Sequence, residues 1–311
     1  MIEAVGEGQG MHISVAICTW NRATLLDKTL TAMCALQIPA DISWELIIVN
    51  NNCTDNTVKI IQKHCKDLPI VLLFEPKQGL SNARNAAVAG SLGEYIIWTD
   101  DDVLVEDGWI EGYVNAFRSH PEAVLFGGPV QPWFEGEPPA WILEGWETVS
   151  SSFATRDFGE VPFMLDSERL PFGANFAVKA SEQRSVLYDP NFGLSHGKIV
   201  LGEETLVMKH LLSRGLTGWW VPASKVQHWI PTSRQRVAYV RKYFMGYGRT
   251  LVRQSKSVPF GLLNKPKWLW RKAIQSELKY YYDRLFKSPQ TWTCSLKIAS
   301  INWGCIFDGN K

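Results

Sequence analysis

The feature that most constrains the fold is an alternation of short apolar segments with segments of helical spacing over the first 118 residues. The apolar segments are five or six residues long and rich in β-branched side chains, so they predict strands at 13–18, 45–49, 70–74 and 94–99. The intervening segments predict helices at 23–36, after Thr54 and Asp55, over 82–91 behind a Ser81 cap, and near 107–118. Nearly continuous apolar strands are typical of burial on both faces, which predicts a mainly parallel sheet flanked by helices.

Polar clusters follow three of these strands at the point where each strand ends. They are Thr19–Arg22, Asn50–Asp55 and Asp100–Asp102. In open α/β sheets, ligands bind at the carboxyl ends of the strands. The positions of the clusters therefore predict a binding site at this edge of the sheet.

The Asp100-Asp101-Asp102 triplet is the strongest candidate for chemistry. Adjacent carboxylates repel one another, so they need a cation or strong hydrogen-bond donors nearby. Carboxylate ligands suit Mg²⁺ or Mn²⁺, and proteins often share these ions with substrate phosphates. Taken alone, the triplet is also compatible with a solvated acidic turn that caps the next helix.

Three other features are weaker candidates. Glu203 and Glu204 begin a predicted helix, where they could supply a general base or simply favour the helix N-terminus. His228, at the end of a predicted strand, could bind a metal or phosphate, or form a hydrogen bond in the core. Arg84 could pair with phosphate, although a surface position is the default for a single Arg.

Several common enzyme classes are disfavoured by absent motifs. The sequence has no GxxxxGK[ST] loop, no GxGxxG after the first strand and no GxSxG, which argues against P-loop NTPases, dinucleotide dehydrogenases and α/β-hydrolases. It also has no signal-peptide pattern, no run of about 18 apolar residues, and six cysteines without a CxxC pair. We expect reduced thiols and a cytoplasmic protein, with a peripheral position on the inner face of the membrane as a further option.

Eight stretches together resemble the family 2 inverting glycosyltransferases, which have the GT-A fold. The resemblance runs from about residue 13 to about residue 248. In chain order the stretches are VAICTWNRATLLDKTL (15–30), WELIIVNNNCTDNT (44–57), EPKQGLSNARNAAV (75–88), GEYIIWTDDDV (93–103), PFGANFAVKA (171–180), DPNFG (189–193), LGEETLVMKHLLSRG (201–215) and VPASKVQHWIP (221–231). Each stretch alone is weak, but their order and spacing are specific.

This resemblance implies roles for individual residues. Nucleotide-sugar contacts would come from Thr19, Asn21, Arg22, Asn50, Asn51, Arg84, Asp101 and Asn175. Asp100 and Asp102 match the family's DxD motif and would bind the metal, with His228 as a further ligand. Glu204 stands where the family usually has the Asp of a Glu-Asp pair, so it would be the catalytic base, with Glu203 as the alternative. Asn50 and Asn51 replace the family's usual Asp near the base, so the nucleotide stays open among UDP, GDP and dTDP.

The expected fold is α/β, the GT-A (nucleotide-diphospho-sugar transferase) fold, with a mainly parallel Rossmann-like sheet flanked by helices and a C-terminal helical extension. The expected parts are a flexible tail (1–12), a nucleotide-sugar-binding half (13–105), an acceptor-binding and catalytic half (106–232) and a basic, aromatic extension (233–311).

The implied activity is a Mn²⁺- or Mg²⁺-dependent inverting transfer to a sugar, polysaccharide or lipid-linked acceptor, in polysaccharide or glycolipid biosynthesis. The alternatives are a catalytically degenerate sugar-nucleotide-binding or membrane-associated scaffold and a sugar nucleotidyltransferase. The latter usually has a Gly-rich loop where this chain has CTWNRAT.

The C-terminal part has a strongly basic composition. Residues 231–311 contain 16 Lys and Arg against 3 Asp and Glu, although the whole chain carries a net charge of only +1. In a helix predicted over 265–287, Trp270, Ile274, Leu278, Tyr281 and Leu285 fall on one face among Lys and Arg. Such a helix could lie on a membrane surface or pack on the catalytic domain. No nucleic-acid-binding module is visible, so nucleic acid is not an expected partner.

Overall fold

The alternation of strands and helices is confirmed by the computed structural model, which describes residues 11–190, 193–195, 198–200, 202–254 and 265–307. The expected flexibility of the tail falls mostly on residues outside these ranges. The first elements are β1 (His12–Thr19), α1 (Ala23–Met33), β2 (Ser43–Asn50), α2 (Thr57–His64), β3 (Ile70–Phe74), α3 (Leu80–Gly90), β4 (Tyr95–Asp100), β5 (Val103–Val105) and α4 (Trp109–Ser119). Every strand and helix predicted in this region is present, with ends shifted by a few residues.

The later part of the chain contains shorter strands and longer helices. Its elements are β6 (Leu125–Gly127), β7 (Val130–Phe134), α5 (Ala140–Glu144), α6 (Trp146–Val149), β8 (Asn175–Lys179), α7 (Ala180–Ser185), β9 (Gly193–Ser195), β10 (Lys198–Val200), α8 (Glu203–Ser213), β11 (Gly218–Trp220), β12 (Val226–Ile230), α9 (Val237–Gln254), α10 (Lys267–Phe286) and α11 (Pro289–Ile306). The segment 131–170, predicted to be irregular, contains β7, α5, α6 and a single 3₁₀ turn.

The described residues divide into two compact units. The first unit comprises residues up to 129, together with 158–188 and 204–226. The second unit comprises 130–157, 189–203 and 227 onwards. The four parts expected from the sequence remain a prediction.

A seven-stranded sheet forms the centre of the first unit, in the order β11-β6-β8-β4-β1-β2-β3. β1 pairs in parallel with both β2 and β4, and β2 pairs in parallel with β3. β8 runs antiparallel to β4 and β6, so the sheet is mixed but mostly parallel, as predicted. The inner strands are almost completely buried, whereas Leu72 and Phe74 on the edge strand β3 are 42 % and 63 % exposed. The expectation that every strand is buried on both faces is therefore wrong for β3, which lies at the edge of the sheet in the described part of the chain.

The starts of α2 and α3 are set by local interactions and backbone geometry. The Asp55 side chain accepts hydrogen bonds from the Thr57 N–H and hydroxyl, so Asp55 stabilises the start of α2. The residue before α3 is Gly79, with φ +133°, a conformation that side chains with a Cβ rarely adopt. The predicted Ser81 cap is wrong, because Ser81 lies inside the first turn of α3.

The second unit is built mainly from α9, α10 and α11. Its apolar core joins Val240 and Phe244 of α9, Tyr280 of α10 and Leu296 of α11, all of which are buried. An ion pair between Arg241 of α9 and Glu277 of α10 connects two of the helices. Within residues 11–254 and 265–307, as far as they are described, no helix is long and apolar enough to cross a bilayer.

Candidate active site

The aspartate triplet lies at the carboxyl edge of the sheet in the first unit. Asp100 is the last residue of β4, and its register partner Cys18 lies one residue before the end of β1. Asp101 and Asp102 are 4 % and 3 % exposed. Carboxylate oxygens of Asp100 and Asp102 lie within 4.8 Å of each other. Two of the three carboxylates are thus buried, which argues against the alternative of a solvated acidic turn.

Thr19, the last residue of β1, and Arg22 in the following loop hold two of these carboxylates in place. Arg22 Nη1 donates to Asp101 Oδ1 at 2.8 Å and to Asp102 Oδ2 at 2.7 Å, and Thr19 Oγ1 donates to Asp101 Oδ2 at 2.7 Å. The polar clusters at the ends of β1 and β4 therefore meet at this edge of the sheet. Parallel pairing of β1 with β4 explains it, since both strands end at the same edge.

Burial makes the charge of this cluster costly. Burial raises the pKa of Asp101, the Arg22 guanidinium opposes this shift and the negative charge of Asp102 adds to it, so that the pKa of Asp101 is about 6. Arg22 brings one positive charge to three adjacent carboxylates. The donor set has the hard oxygens and the excess negative charge that suit a divalent cation such as Mg²⁺ or Mn²⁺.

Three asparagines near this edge hold the surrounding loops. Asn21 has a left-handed backbone (φ +53°), and its Oδ1 accepts the Thr54 N–H at 2.7 Å. Asn50 Oδ1 accepts the Cys53 N–H at 2.8 Å. Asn51 is 3 % exposed; its Nδ2 donates to the carbonyl oxygens of residues 75 and 77, and its Oδ1 accepts the N–H of residue 79. The Asn51 amide is thus engaged with backbone on both its nitrogen and its oxygen.

Arg84 and Glu204 form a second charged pair in the first unit. Arg84 is 4 % exposed, so it is not an ordinary surface Arg. Its guanidinium carbon lies 5.3 Å from the ring centre of Tyr188 and 6.0 Å from that of Trp98. Arg84 Nη1 lies 3.6 Å from Glu204 Oε2, near the start of α8. The aromatic rings hold the guanidinium where it can fix the position of this carboxylate.

Gly173 makes this arrangement possible. A Cβ at this position would lie 2.8 Å from Arg84 Nη2 and 3.2 Å from Glu204 Oε1. The backbone of residue 173 therefore packs directly against both charged groups. No local pattern points to the role of Gly173 or of Tyr188, because the contact joins segments far apart in the chain.

Asn175 has a different environment from the expected one. It is fully buried, and its Oδ1 accepts hydrogen bonds from Trp109 Nε1 and Tyr113 OH, both at 2.8 Å. Its Nδ2 donates to the carbonyl oxygens of Pro129 and Ser224 at 2.9 and 2.7 Å. All four hydrogen-bonding positions of the amide are used. The Asn175 amide therefore joins three segments of the fold, and its expected contact with a sugar remains a prediction.

Two further predicted site residues belong to the second unit. His228 lies on β12 and is 3 % exposed. Glu203, the first residue of α8, is 6 % exposed. The ring of Trp229, next to His228, lies 4.4 Å from that of Trp133 on β7. The predicted contacts of His228 and Glu203 with metal or substrate remain predictions.

Comparison with known proteins identifies the class of enzyme. Residues 14–157 match the sequence model of the family described as Glycosyl transferase family 2. The protein is a glycosyltransferase, and its residues 14–157 are similar to family 2. The matched segment includes Thr19, Arg22, Arg84 and the aspartate triplet, while Asn175, Glu204 and His228 lie beyond it.

Two curated relatives and one solved structure support this assignment. The glycosyltransferase is 24 % identical to the succinoglycan biosynthesis protein ExoM of Rhizobium meliloti (strain 1021), over 77 % of this chain and 74 % of that protein. It is 25 % identical to the glucosyl-dolichyl phosphate glucuronosyltransferase of Haloferax volcanii, over 78 % of this chain and 77 % of that protein. The mannosyltransferase PcManGT from Pyrobaculum calidifontis, solved with GDP-Man and Mn²⁺, has a TM-score of 0.60 and 17 % identity, over 95 % of this chain and 86 % of that chain. The expected GT-A fold is confirmed.

Proposed function

We propose that this glycosyltransferase is metal-dependent and inverting, and that it transfers a sugar from a nucleoside diphosphate donor to an acceptor hydroxyl. The observation that carries the proposal is the buried aspartate triplet at the sheet edge, braced by Thr19 and Arg22. A buried carboxylate cluster is costly unless a cation balances it, so this corner of the fold is suited to a cation and a diphosphate.

The proposed metal ligands are Asp100 and Asp102, with His228 as a further ligand. The carboxylate oxygens of the two aspartates suit Mn²⁺ or Mg²⁺, and the similar mannosyltransferase was solved with Mn²⁺. When bound, such an ion would supply positive charge that stabilises the leaving diphosphate. Arg22 would share the task, because its guanidinium already lies against Asp101 and Asp102 and can pair with a phosphate oxygen.

The nucleotide would bind along the ends of β1, β2 and β4. Thr19, Asn21 and Arg22 would line it on one side, and Asn50 and Asn51 would shape the loops near the base through the contacts described above. Asp101 would lie close to the ribose or the donor sugar. A UDP-, GDP- or dTDP-linked sugar is the proposed donor class.

Glu204 is the proposed catalytic base, with Glu203 as the alternative. In the proposed step, the Glu204 carboxylate takes the proton of the acceptor hydroxyl. The acceptor oxygen attacks the anomeric carbon from the face opposite the nucleotide, while the bond from that carbon to the phosphate oxygen breaks and the nucleoside diphosphate leaves. Arg84 would act as a positioning residue that holds Glu204, in addition to the phosphate contact expected from the sequence.

The names of the relatives support an acceptor in polysaccharide or glycolipid assembly. One relative is a succinoglycan biosynthesis protein, and the other acts, by its name, on a dolichyl phosphate-linked sugar. We therefore propose a sugar, polysaccharide or lipid-linked acceptor for this enzyme.

A donor screen tests the proposal. Thermal unfolding is measured with UDP-, GDP- and dTDP-sugars, with and without Mn²⁺, and nucleoside diphosphate release is then measured with the donor that stabilises the protein most. We expect release that needs the metal and is lost in Asp102→Asn but kept in Asp67→Asn, a matched change at an exposed carboxylate. Equal release without divalent metal, or by Asp102→Asn, would contradict the metal role. Proton NMR of the product's anomeric centre then tests inversion.

A further inference from the structure

Helix α10 in the second unit has two very different sides. Leu269, Ala273, Tyr280 and Asp283 are at most 5 % exposed and face the rest of the unit. The opposite side carries Ile274, Leu278, Tyr281 and Leu285, which are 49 %, 65 %, 53 % and 75 % exposed. Their spacing of i, i+4, i+7 and i+11 places them in one stripe along the helix. The apolar face expected from the sequence therefore points to solvent in the part of the chain that the structure describes.

More large apolar side chains widen this stripe. Trp268, Tyr282 and Phe286 are between 56 % and 67 % exposed, and the rings of Tyr282 and Phe286 contact each other. Trp270 is an exception to the predicted face, because it is half-buried against Trp303. A contiguous surface of this kind is unusual in a protein that meets only water, and it marks an interaction site. We call the seven exposed apolar residues of α10 the α10 face.

The charged residues of α10 are sorted by sign. Both of its acids turn inward: Glu277 pairs with Arg241 and accepts from Trp303 Nε1, and Asp283, 1 % exposed, accepts from Ser295. All five cations of the helix are exposed, namely Lys267, Arg271, Lys272, Lys279 and Arg284. Two of them also contact buried groups, since Lys279 pairs with Asp283 and Arg284 donates to Tyr280 OH. The outward side of α10 is therefore apolar and cationic, with no outward carboxylate among its described residues.

We infer that the α10 face docks on the surface of a bilayer that contains anionic phospholipid. Aromatic and aliphatic side chains with a rim of Lys and Arg are what a helix needs to lie at the interface between headgroups and acyl chains. The exposed cations complement anionic headgroups, and Tyr and Trp suit a boundary that is apolar on one side and wet on the other. This inference goes beyond the proposed function and does not depend on the chemistry at the aspartate triplet.

Vesicle flotation of the full chain tests the inference. One set of vesicles is phosphatidylcholine alone, and the other is phosphatidylcholine mixed with phosphatidylglycerol. We expect the protein to float with the anionic vesicles, to float poorly with the neutral ones, and to lose binding as salt is raised. The affinity of the variant I274S/L278S/L285S for anionic vesicles should fall by about tenfold or more, because the variant removes the apolar stripe.

Two further variants sharpen the test. K267Q/R271Q/K272Q should lower binding to anionic vesicles and remove much of its salt dependence. Leu92→Ser changes an exposed apolar residue of the first unit, 78 % exposed, and should bind vesicles as the wild type does. Since every substituted side chain is exposed, thermal unfolding and donor-dependent nucleoside diphosphate release should be unchanged in all of these proteins. If the wild type binds anionic vesicles but releases no nucleoside diphosphate from any donor, the proposed function is contradicted and the docking inference is unaffected.

Three results would overturn the docking inference. The first is a wild-type protein that stays unbound in the presence of anionic vesicles. The second is a stripe variant that floats as well as the wild type. The third is a wild-type dimer that the stripe variant converts to a monomer in sedimentation equilibrium, with no lipid binding by either, which would assign the α10 face to a second copy of this chain.

Discussion

The two units use charged residues in opposite ways. At the sheet edge of the first unit, three consecutive aspartates are gathered, and two of them are almost fully buried. On α10 of the second unit, the two acids are turned inward to partners and the five cations are exposed. A buried excess of negative charge creates a need for a cation, whereas an exposed excess of positive charge is costly only if it stays unsolvated. The difference supports the proposed reaction centre in one unit and the proposed docking surface in the other.

The largest expected effect comes from the buried acids of the first unit. Asp102→Asn should lower turnover by roughly a thousandfold or more, because metal stabilisation of a leaving group is worth several kcal/mol. The measurement is steady-state nucleoside diphosphate release with Mn²⁺ present. The fold should survive, which circular dichroism and thermal unfolding check.

The proposed base should give the next largest effect. Glu204→Gln keeps the size of the side chain but removes its ability to take a proton, so turnover should fall by roughly 10²–10⁴-fold while the donor Kd stays unchanged. Glu203→Gln is the matched variant, and it should have a much smaller effect. If Glu203→Gln gives the larger loss, the roles of the two residues are exchanged.

A substitution at Asn175 tests whether this residue stabilises the fold or contacts a sugar. Asn175→Ala should lower the free energy of unfolding by roughly 3 kcal/mol or more, since it leaves several buried polar groups without partners. Urea denaturation measures this change. An unchanged unfolding midpoint combined with a higher KM for donor or acceptor would instead support the sugar contact.

A side chain that displaces the Arg84–Glu204 pair should lower turnover moderately. Gly173→Ala places a methyl group 2.8 Å from Arg84 Nη2, so it should displace the pair and lower kcat by roughly tenfold to a hundredfold with little change in donor Kd. The control is Gly108→Ala, where a Cβ would meet nothing within 4 Å. A raised donor Kd with an unchanged kcat would show that Arg84 acts mainly on the donor phosphates.

The smallest expected effect on stability lies on the α10 face. Leu278→Ser and Leu285→Ser should each change the free energy of unfolding by no more than about 0.5 kcal/mol, because both side chains are mostly exposed. Thermal unfolding measures this. A large loss of stability would mean that the stripe is packed inside the protein, and the contrast between the two units would no longer hold.

The elements of the fold were predictable where the pattern is local. The apolar strands and helical spacing of the first 118 residues fixed β1 to β4 and the helices between them, and parallel pairing explained why Thr19 and Arg22 meet Asp101. The exposure of β3 was not predictable, because a continuous apolar run does not reveal which strand lies at the edge of a sheet. The role of Gly79 was missed because Ser81 offered a more familiar helix start.

The parts of the site that depend on distant contacts could not be derived. Asn175 contacts side chains and carbonyl groups from three other segments, none of which has a pattern that points to it. The closeness of Arg84 to Glu204 likewise joins residues 120 positions apart. For α10, helical spacing identified an apolar face but not whether this face points inward. The exposure of its side chains in the structure shows that it points to solvent.

The most direct test of the central claim is the affinity of the protein for Mn²⁺, measured by titration calorimetry in the presence of the nucleoside diphosphate selected by the donor screen. The wild type should bind one Mn²⁺ together with the nucleotide, and Asp102→Asn should lose this coupled binding while it still unfolds cooperatively on heating. Equal Mn²⁺ affinity in the two proteins, or no Mn²⁺ binding by the wild type, would contradict the claim that the aspartate triplet is the metal centre.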